Sequence, residues 1–292
     1  MFRKACEIAR RFTWPVVISR RLVSGKCYAV IGSCVVVNPE GWIVTAGHVL
    51  KECDDLAKAV LRTRALQAQI AAIEQDTTID RHELRARLAS VKPPKSDDTE
   101  RSSVWFGRDH LRMKEGYVLE GADLAIARLE PFDPAWVAQY PMFRGTTHDF
   151  EPGTSMCRLG FPFHRLEPTW DAATNTFRLP PESVPLPIFP VDGIFTRTAE
   201  IVVARGASEP AMLPPYPLRM VETSSPGLPG QSGGPIFDAN GLVWGIQVAT
   251  ASYPLELDTT ERQYLNVGLG IAPITLFGFF DDRGVKYQVS PP

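Results

Sequence analysis

Ser232 sits in G-Q-S-G-G-P, Gly230 to Pro235. Glycine loses more backbone freedom on folding than any other residue, so three of them around one hydroxyl mark backbone with a special task. The run predicts either a close approach to another segment or angles closed to other residues. A serine hydroxyl is a weak nucleophile until a base takes its proton. Imidazole, with a pKa near neutrality, is the usual base. Of the five histidines, His82 falls in a helical segment, and His110, His148 and His164 fall in loop-like charged or Pro-rich stretches. Those four read as surface residues. His48 stands apart: it follows the apolar run W-I-V-T-A, in T-A-G-H-V, where Ala46 and Gly47 leave room for a second segment. A buried acid that orients the imidazole would complete the set. Asp123 opens the apolar stretch A-D-L-A-I-A-R-L. A carboxylate there is costly to bury unpartnered, and an imidazole N–H would partner it. Ser232, His48 and Asp123 together predict acyl-transfer chemistry.

The elements that must position these residues are mostly short strands. Residues 28–37 are rich in β-branched side chains, N-P-E-G (Asn38 to Gly41) is a turn, and Trp42 to Ala46 is the next strand. From Lys51 to about Gln75 there is no Gly or Pro. Leu56, Ala59, Thr63, Leu66, Ile70 and Ile73 recur there at helical spacing, predicting a long amphipathic helix. Asp80 to Glu83 resembles a capping box, with Leu84, Leu88 and Val91 following in a second, shorter helix that Lys92 to Lys95 stops. Strand character returns at 104–106, 116–119 and 122–129. Residues 131–152 read as a Pro-marked linker, and 162–190 as Pro-rich surface loops. Further strands are expected at 154–159, 198–204, 218–223, 234–237, 242–250 and 265–271. Many short strands at regular spacing favour barrels or a sandwich.

The three motifs resemble those of the trypsin-like (chymotrypsin-fold) serine peptidases, and in particular the bacterial HtrA/Deg branch. T-A-G-H-V matches the histidine motif, A-D-L-A-I-A-R-L the aspartate strand and G-Q-S-G-G-P the nucleophile loop, in the family's order. The likeness extends more weakly over 15–50, 104–130, 154–162 and 198–275, and does not cover 51–103 or 162–190. It implies an all-β fold with a helical insertion: two six-stranded antiparallel β-barrels with the site between them. Residues 1–135 would form the first barrel, with the insertion at about 51–103, and 136–292 the second. It implies an oxyanion hole from the N–H groups of Gly230 and Ser232, and substrate binding along Val248, Ala249 and Thr250. Gln231 replaces the aspartate with which digestive members pair a new N-terminus, so no activating cleavage is expected. Pro226 stands where a trypsin has its pocket acid, and Leu228 with Leu269 suggests an apolar pocket. The stretch after Ile274 is short, and no PDZ domain is expected there.

Composition fits this reading. The formal charge of −2 gives no reason to expect nucleic acid as a partner. The basic N-terminus has too short an apolar run for a signal segment, and nothing later predicts a membrane span. The five cysteines form neither a C-x-x-C pair nor a cluster with histidine, which argues against a disulfide framework, a zinc site or another cofactor centre and points to the cytoplasm. The expected partner is a protein or peptide substrate, with the 51–103 segment as a candidate surface for a regulatory protein. Two other classes stay open: a latent or inactive protease serving as a partner-binding scaffold, and an esterase. Against the esterase stands the absence of a G-x-S-x-G elbow in a βαβ setting.

Overall fold

The computed structural model describes residues 1–146, 150–201, 214–255 and 263–291. A short helix α1 (Arg3–Ala9) leads into β1 (Thr13–Leu22), β2 (Cys27–Val36) and β3 (Trp42–Ala46). Helices α2 (Gly47–Glu74) and α3 (Arg81–Ser90) follow, then β4 (Thr99–Trp105), β5 (Arg112–Leu119) and β6 (Leu124–Glu130). These strands form one antiparallel sheet in the order β4-β1-β2-β3-β6-β5. The sheet is not closed by a pairing of β4 with β5. Helix α2 contacts both of those edge strands and covers the opening. Its inward face, Val49, Leu50, Cys53, Leu56, Val60 and Thr63, is buried, and Leu50 reaches Gly116 of β5. An edge covered by an apolar helix face is shielded from pairing with another chain.

The helix therefore begins earlier than its sequence suggests. Gly47 and His48 form its first turn rather than the end of a strand. The expected stripe is right in phase, but only its first half is buried. Leu66, Ile70 and Ile73 are half-buried, and α3 packs beside α2. Asp80 caps α3, accepting from the N–H groups of His82 and Glu83, which is half of the expected box; the Glu83 carboxylate accepts from Arg87 instead.

The second half holds β7 (Met142–Phe143), β8 (Ser155–Gly160), β9 (Thr169–Asp171), β10 (Thr176–Arg178), β11 (Phe189–Glu200) and β12 (Arg219–Thr223). After these come β13 (Pro235–Asp238), β14 (Val243–Leu255), β15 (Gln263–Ile271), α4 (Pro273–Asp282) and β16 (Gln288–Val289). Six strands close on themselves as β13-β8-β11-β12-β15-β14, with β13 pairing back to β14. All six pairings are antiparallel. β7 and β16 extend from β14 in parallel, and β9 pairs with β10 as a separate hairpin. The result is the double-barrel chymotrypsin-like architecture, with a closed second barrel and a first that α2 completes. One apolar core runs through both: Val35, Ile43 and Ile126 on one side and Phe237, Ile246 and Leu276 on the other belong to the same buried cluster.

Sequence reading missed α1, β1, the β9–β10 hairpin and α4. α1 lies ahead of the first sheet yet packs against β8 and β13 of the second, with the Phe2 ring edge-on to Phe237. The expected strand 198–204 is the tail of a longer one, β11, which starts at Phe189 inside the stretch read as loop and ends at Glu200; residues 202–204 lie outside the described residues, as does His148. Among the described residues no helix is long and apolar enough to cross a membrane, and no cluster of three or more His, Cys, Asp or Glu could hold a metal.

Candidate active site

His48 and Asp123 meet where α2 starts against β6. A 3-10 turn at Glu120–Ala122 ends on Asp123, whose backbone is left-handed with φ 49°. Asp tolerates that conformation better than most residues. The turn aims both carboxylate oxygens at α2. Oδ1 accepts the backbone N–H of His48 at 2.7 Å, and Oδ2 lies 2.8 Å from His48 Nδ1. The Asp123 carbonyl accepts from Gly47 N–H at 2.7 Å. A side chain at position 47 would meet the Asp123 carboxylate and backbone at 2.9 Å, so the small residue is required by contact. Hydrogen bonding to the Asp123 carboxylate raises the His48 pKa, against the opposing effect of burial. The expectation of a buried acid needs correction: the Asp123 side chain is 38% exposed and that of His48 51%. The turn places the carboxylate at the mouth of the cleft, where it stays partly hydrated and needs fewer protein partners.

The nucleophile loop is clamped between the two halves. Ser33 of β2 grips it twice: its N–H donates to the Ser232 carbonyl at 2.8 Å and its hydroxyl to the Gly230 carbonyl at 2.7 Å. Thr45 of β3 in turn donates to the Ser33 carbonyl. Gly230 and Gly233 both have positive φ, 93° and 88°. A Cβ at Gly230 would lie 2.4 Å from the Phe161 carbonyl oxygen, at Gly233 2.0 Å from that of Ser33, and at Gly234 2.0 Å from that of Leu159. Each glycine is thus needed for close approach, the first two also for backbone angle.

Clamping sorts the loop's N–H groups into two sets. Those of Gln231, Gly233 and Gly234 donate to the carbonyls of Leu228, Gln247 and Gln231. Those of Gly230 and Ser232 have no acceptor among the described residues. Buried backbone donors are almost always paired, and the two left over are the pair expected of an oxyanion hole. Gln231 is fully buried, and its side-chain oxygen accepts from Leu228 N–H at 3.0 Å. An uncharged internal bond thus holds the loop where digestive relatives are expected to use an ion pair. No hydrogen bond joins the Ser232 hydroxyl to the His48 ring; in such sites that bond often tightens only in the complex with substrate.

Among the residues expected to bind substrate, Val248 is buried, Ala249 half-buried and Thr250 exposed. All lie on β14, where the register with β15 shifts between Gln247 and Ala249. Pairing with β13 stops at Ile246, so the second edge of β14 from Val248 onward has no partner strand among the described residues. That edge can accept an added peptide strand. Leu228 and Leu269 are half-buried. Thr250 Oγ1 donates to the Gly227 carbonyl at 2.9 Å, tying β14 to the loop before the nucleophile. Sequence reading overlooked Ser33 and Thr45, which carry no catalytic signature, and Arg158, a lone charge in an apolar strand. His82 and His110 are exposed, and His164 bonds to the Pro187 carbonyl; none joins the site.

Comparison with known proteins agrees with this geometry. The family model described as a trypsin-like peptidase domain matches residues 32–246. Solved structures with a similar course include the active form of the Rv3671c protease from M. tuberculosis, 13% identical, covering 98% of this chain and 86% of that one, with a TM-score of 0.48. The HtrA-type protease AlgW with a tripeptide is 15% identical, covering 98% of this chain and 64% of that one, with a TM-score of 0.47. Likenesses of that size carry no argument by themselves. No curated protein matches the sequence. The family model runs from within β2 to within β14, about three quarters of the chain, and takes in His48, Asp123 and Ser232, and on that ground the chain belongs to the trypsin-like peptidase family and is a serine endopeptidase.

Proposed function

We propose that the chain hydrolyses peptide bonds in protein or peptide substrates through a Ser232–His48–Asp123 triad and an acyl-enzyme. The substrate adds a strand along Val248–Thr250 of β14. Ser232 Oγ attacks the scissile carbonyl carbon while His48 Nε2 takes its proton. The Nδ1–H of His48 donates to Asp123 Oδ2, which fixes the tautomer and stabilises the imidazolium. The N–H groups of Gly230 and Ser232 receive the oxyanion, an effect worth roughly 3–4 kcal/mol for one donor. His48 passes its proton to the leaving amine, the C–N bond breaks, and water, deprotonated by His48, releases the acid. The observation that carries this reading is the pair of N–H groups, Gly230 and Ser232, left without acceptors among the described residues in the G-Q-S-G-G-P loop. All five thiols are free, which supports a reducing compartment such as the cytoplasm.

The test is reaction of the purified chain with a fluorophosphonate probe, with the adduct located by peptide mass analysis. An adduct on Ser232 is expected, and none, or one elsewhere, overturns the proposal. A scaffold reading draws on the absent bond between Ser232 and His48, and an unlabelled, folded chain would favour it.

The raised His48 pKa sets a pH dependence. The base must be neutral, so kcat/KM falls as pH drops through the His48 pKa. The acid limb is therefore expected above about 6.5, the ordinary imidazole value. A pH–rate profile of peptide hydrolysis checks this, and a midpoint below that value would contradict it.

A further inference from the structure

Arg158 of β8 is 2% exposed, among the largest fully buried side chains in the molecule. Its Nη2 donates to the hydroxyls of Thr223 and Ser225, the latter at 3.2 Å. Its Nη1 is buried with no acceptor among the described residues. No carboxylate among the described residues pairs with it; Glu222, the nearest acid in sequence to these contacts, is held by Arg197, Thr196 and Tyr253. Burial without a compensating charge depresses the guanidinium pKa to about 10. Buried cations are normally paired, because desolvation is otherwise uncompensated. Something outside the resting molecule can supply the missing anion.

The position of the guanidinium says what that is. Ser225 opens the segment S-P-G-L-P-G-Q-S that ends on Ser232. Gly268 pairs with both Thr250 and Thr223, and a Cβ there would lie 2.3 Å from Arg158 Nη1 and 2.6 Å from Nη2. The charge therefore sits behind the substrate strand and beside the nucleophile loop. These two walls are joined at the surface by the bond from Thr250 to Gly227. A side chain entering between them, next to the bond to be cut, would reach the guanidinium at the floor past Ser225 and Gly268, which cover it.

We propose that Arg158 determines specificity by binding the carboxylate of a glutamate or aspartate on the N-terminal side of the scissile bond, with Nη1 as the donor. This rests on the catalytic reading above and replaces the apolar preference that Leu228 and Leu269 suggest. Ser225 adds a hydroxyl to the same floor. Because Gly268 has no side chain, the guanidinium can lie against the backbone of β15.

The test uses the full chain and internally quenched peptides that differ only in that residue: Glu, Gln, Leu or Ala. Active sites are titrated separately with the fluorophosphonate. The Glu peptide is expected to exceed the Leu peptide in kcat/KM by at least about 100-fold, since a site built around a polar partner rejects substrates that lack it. Arg158→Met should reverse the order of Glu and Leu, with a thermal melt confirming the fold. If that variant does not fold, Arg158→Lys should keep the Glu preference at reduced kcat/KM. A wild type that titrates with the probe but cuts Gln, Leu or Ala peptides as fast as Glu overturns the specificity and leaves the triad intact. A wild type that neither titrates nor cuts overturns both.

Discussion

Asp123→Asn is expected to lower kcat by about 10,000-fold, by analogy with the same exchange in a serine protease triad. Both carboxylate oxygens are in use, one on the His48 N–H and one on its ring. An asparagine oxygen can still accept from the backbone, so the start of α2 should hold. Its amide nitrogen then faces Nδ1 and donates, which forces the imidazole proton onto Nε2. The base can no longer accept from Ser232. The acid limb of any residual activity should also move down, because the bond that raises the His48 pKa is gone. Steady-state kinetics on a cleavable peptide, with circular dichroism to confirm the fold, measure both effects. A loss below about tenfold, far from the magnitude for an orienting carboxylate, would remove Asp123 from the triad.

Gly233→Ala should be nearly as damaging by a different route. The φ of 88° is strained for alanine, a cost of about 1–3 kcal/mol. The new methyl would also fall 2.0 Å from the Ser33 carbonyl and 2.3 Å from Thr45 Oγ1. The carbonyl belongs to a paired strand and cannot withdraw cheaply, so the loop must move and take the Ser232 N–H with it. Loss of one oxyanion donor costs about 100- to 1,000-fold in kcat. Hydrolysis and fluorophosphonate labelling should fall together, with a lower melting temperature. Ser33→Ala, which removes only the hydroxyl bond to Gly230, should be much milder. Equal effects of the two substitutions would contradict the clamp.

The residues proposed for the triad could be singled out because His48 and Ser232 lie in short motifs whose glycines are dictated by contact: Gly47 by Asp123, Gly233 by Ser33, Gly234 by Leu159. Strand β3 was readable to the residue because all five of its side chains are buried. β1 was not. Its W-P-V-V-I-S-R-R carries Pro15 and two arginines, yet it pairs along its length with β2, and that partnership is decided far from the local sequence. α4 has an apolar face all round and Gly278 in its middle, where the Tyr216 ring occupies the missing side chain's place. The start of α2 was hidden because it has no side-chain cap; Asp123, distant in sequence, supplies the acceptor instead. Arg158 drew no reading from the sequence, because only the folded barrel shows that no acid among the described residues neutralises it.

The histidine and the helical insertion belong to one continuous rod. At 1.5 Å per residue the 28 residues of α2 span about 42 Å. Val49, Leu50, Cys53, Leu56, Val60 and Thr63 are all fixed in the core, so His48 sits on the anchored half of the rod and the outer end reaches about 17 Å beyond Thr63. A misplacement of about 1 Å can cost on the order of 100-fold in rate. The contact at stake is the 2.8 Å bond between His48 and Asp123. The core packing of the first half of α2 thus keeps the histidine in register with Asp123, and the outer half is the part free of that packing.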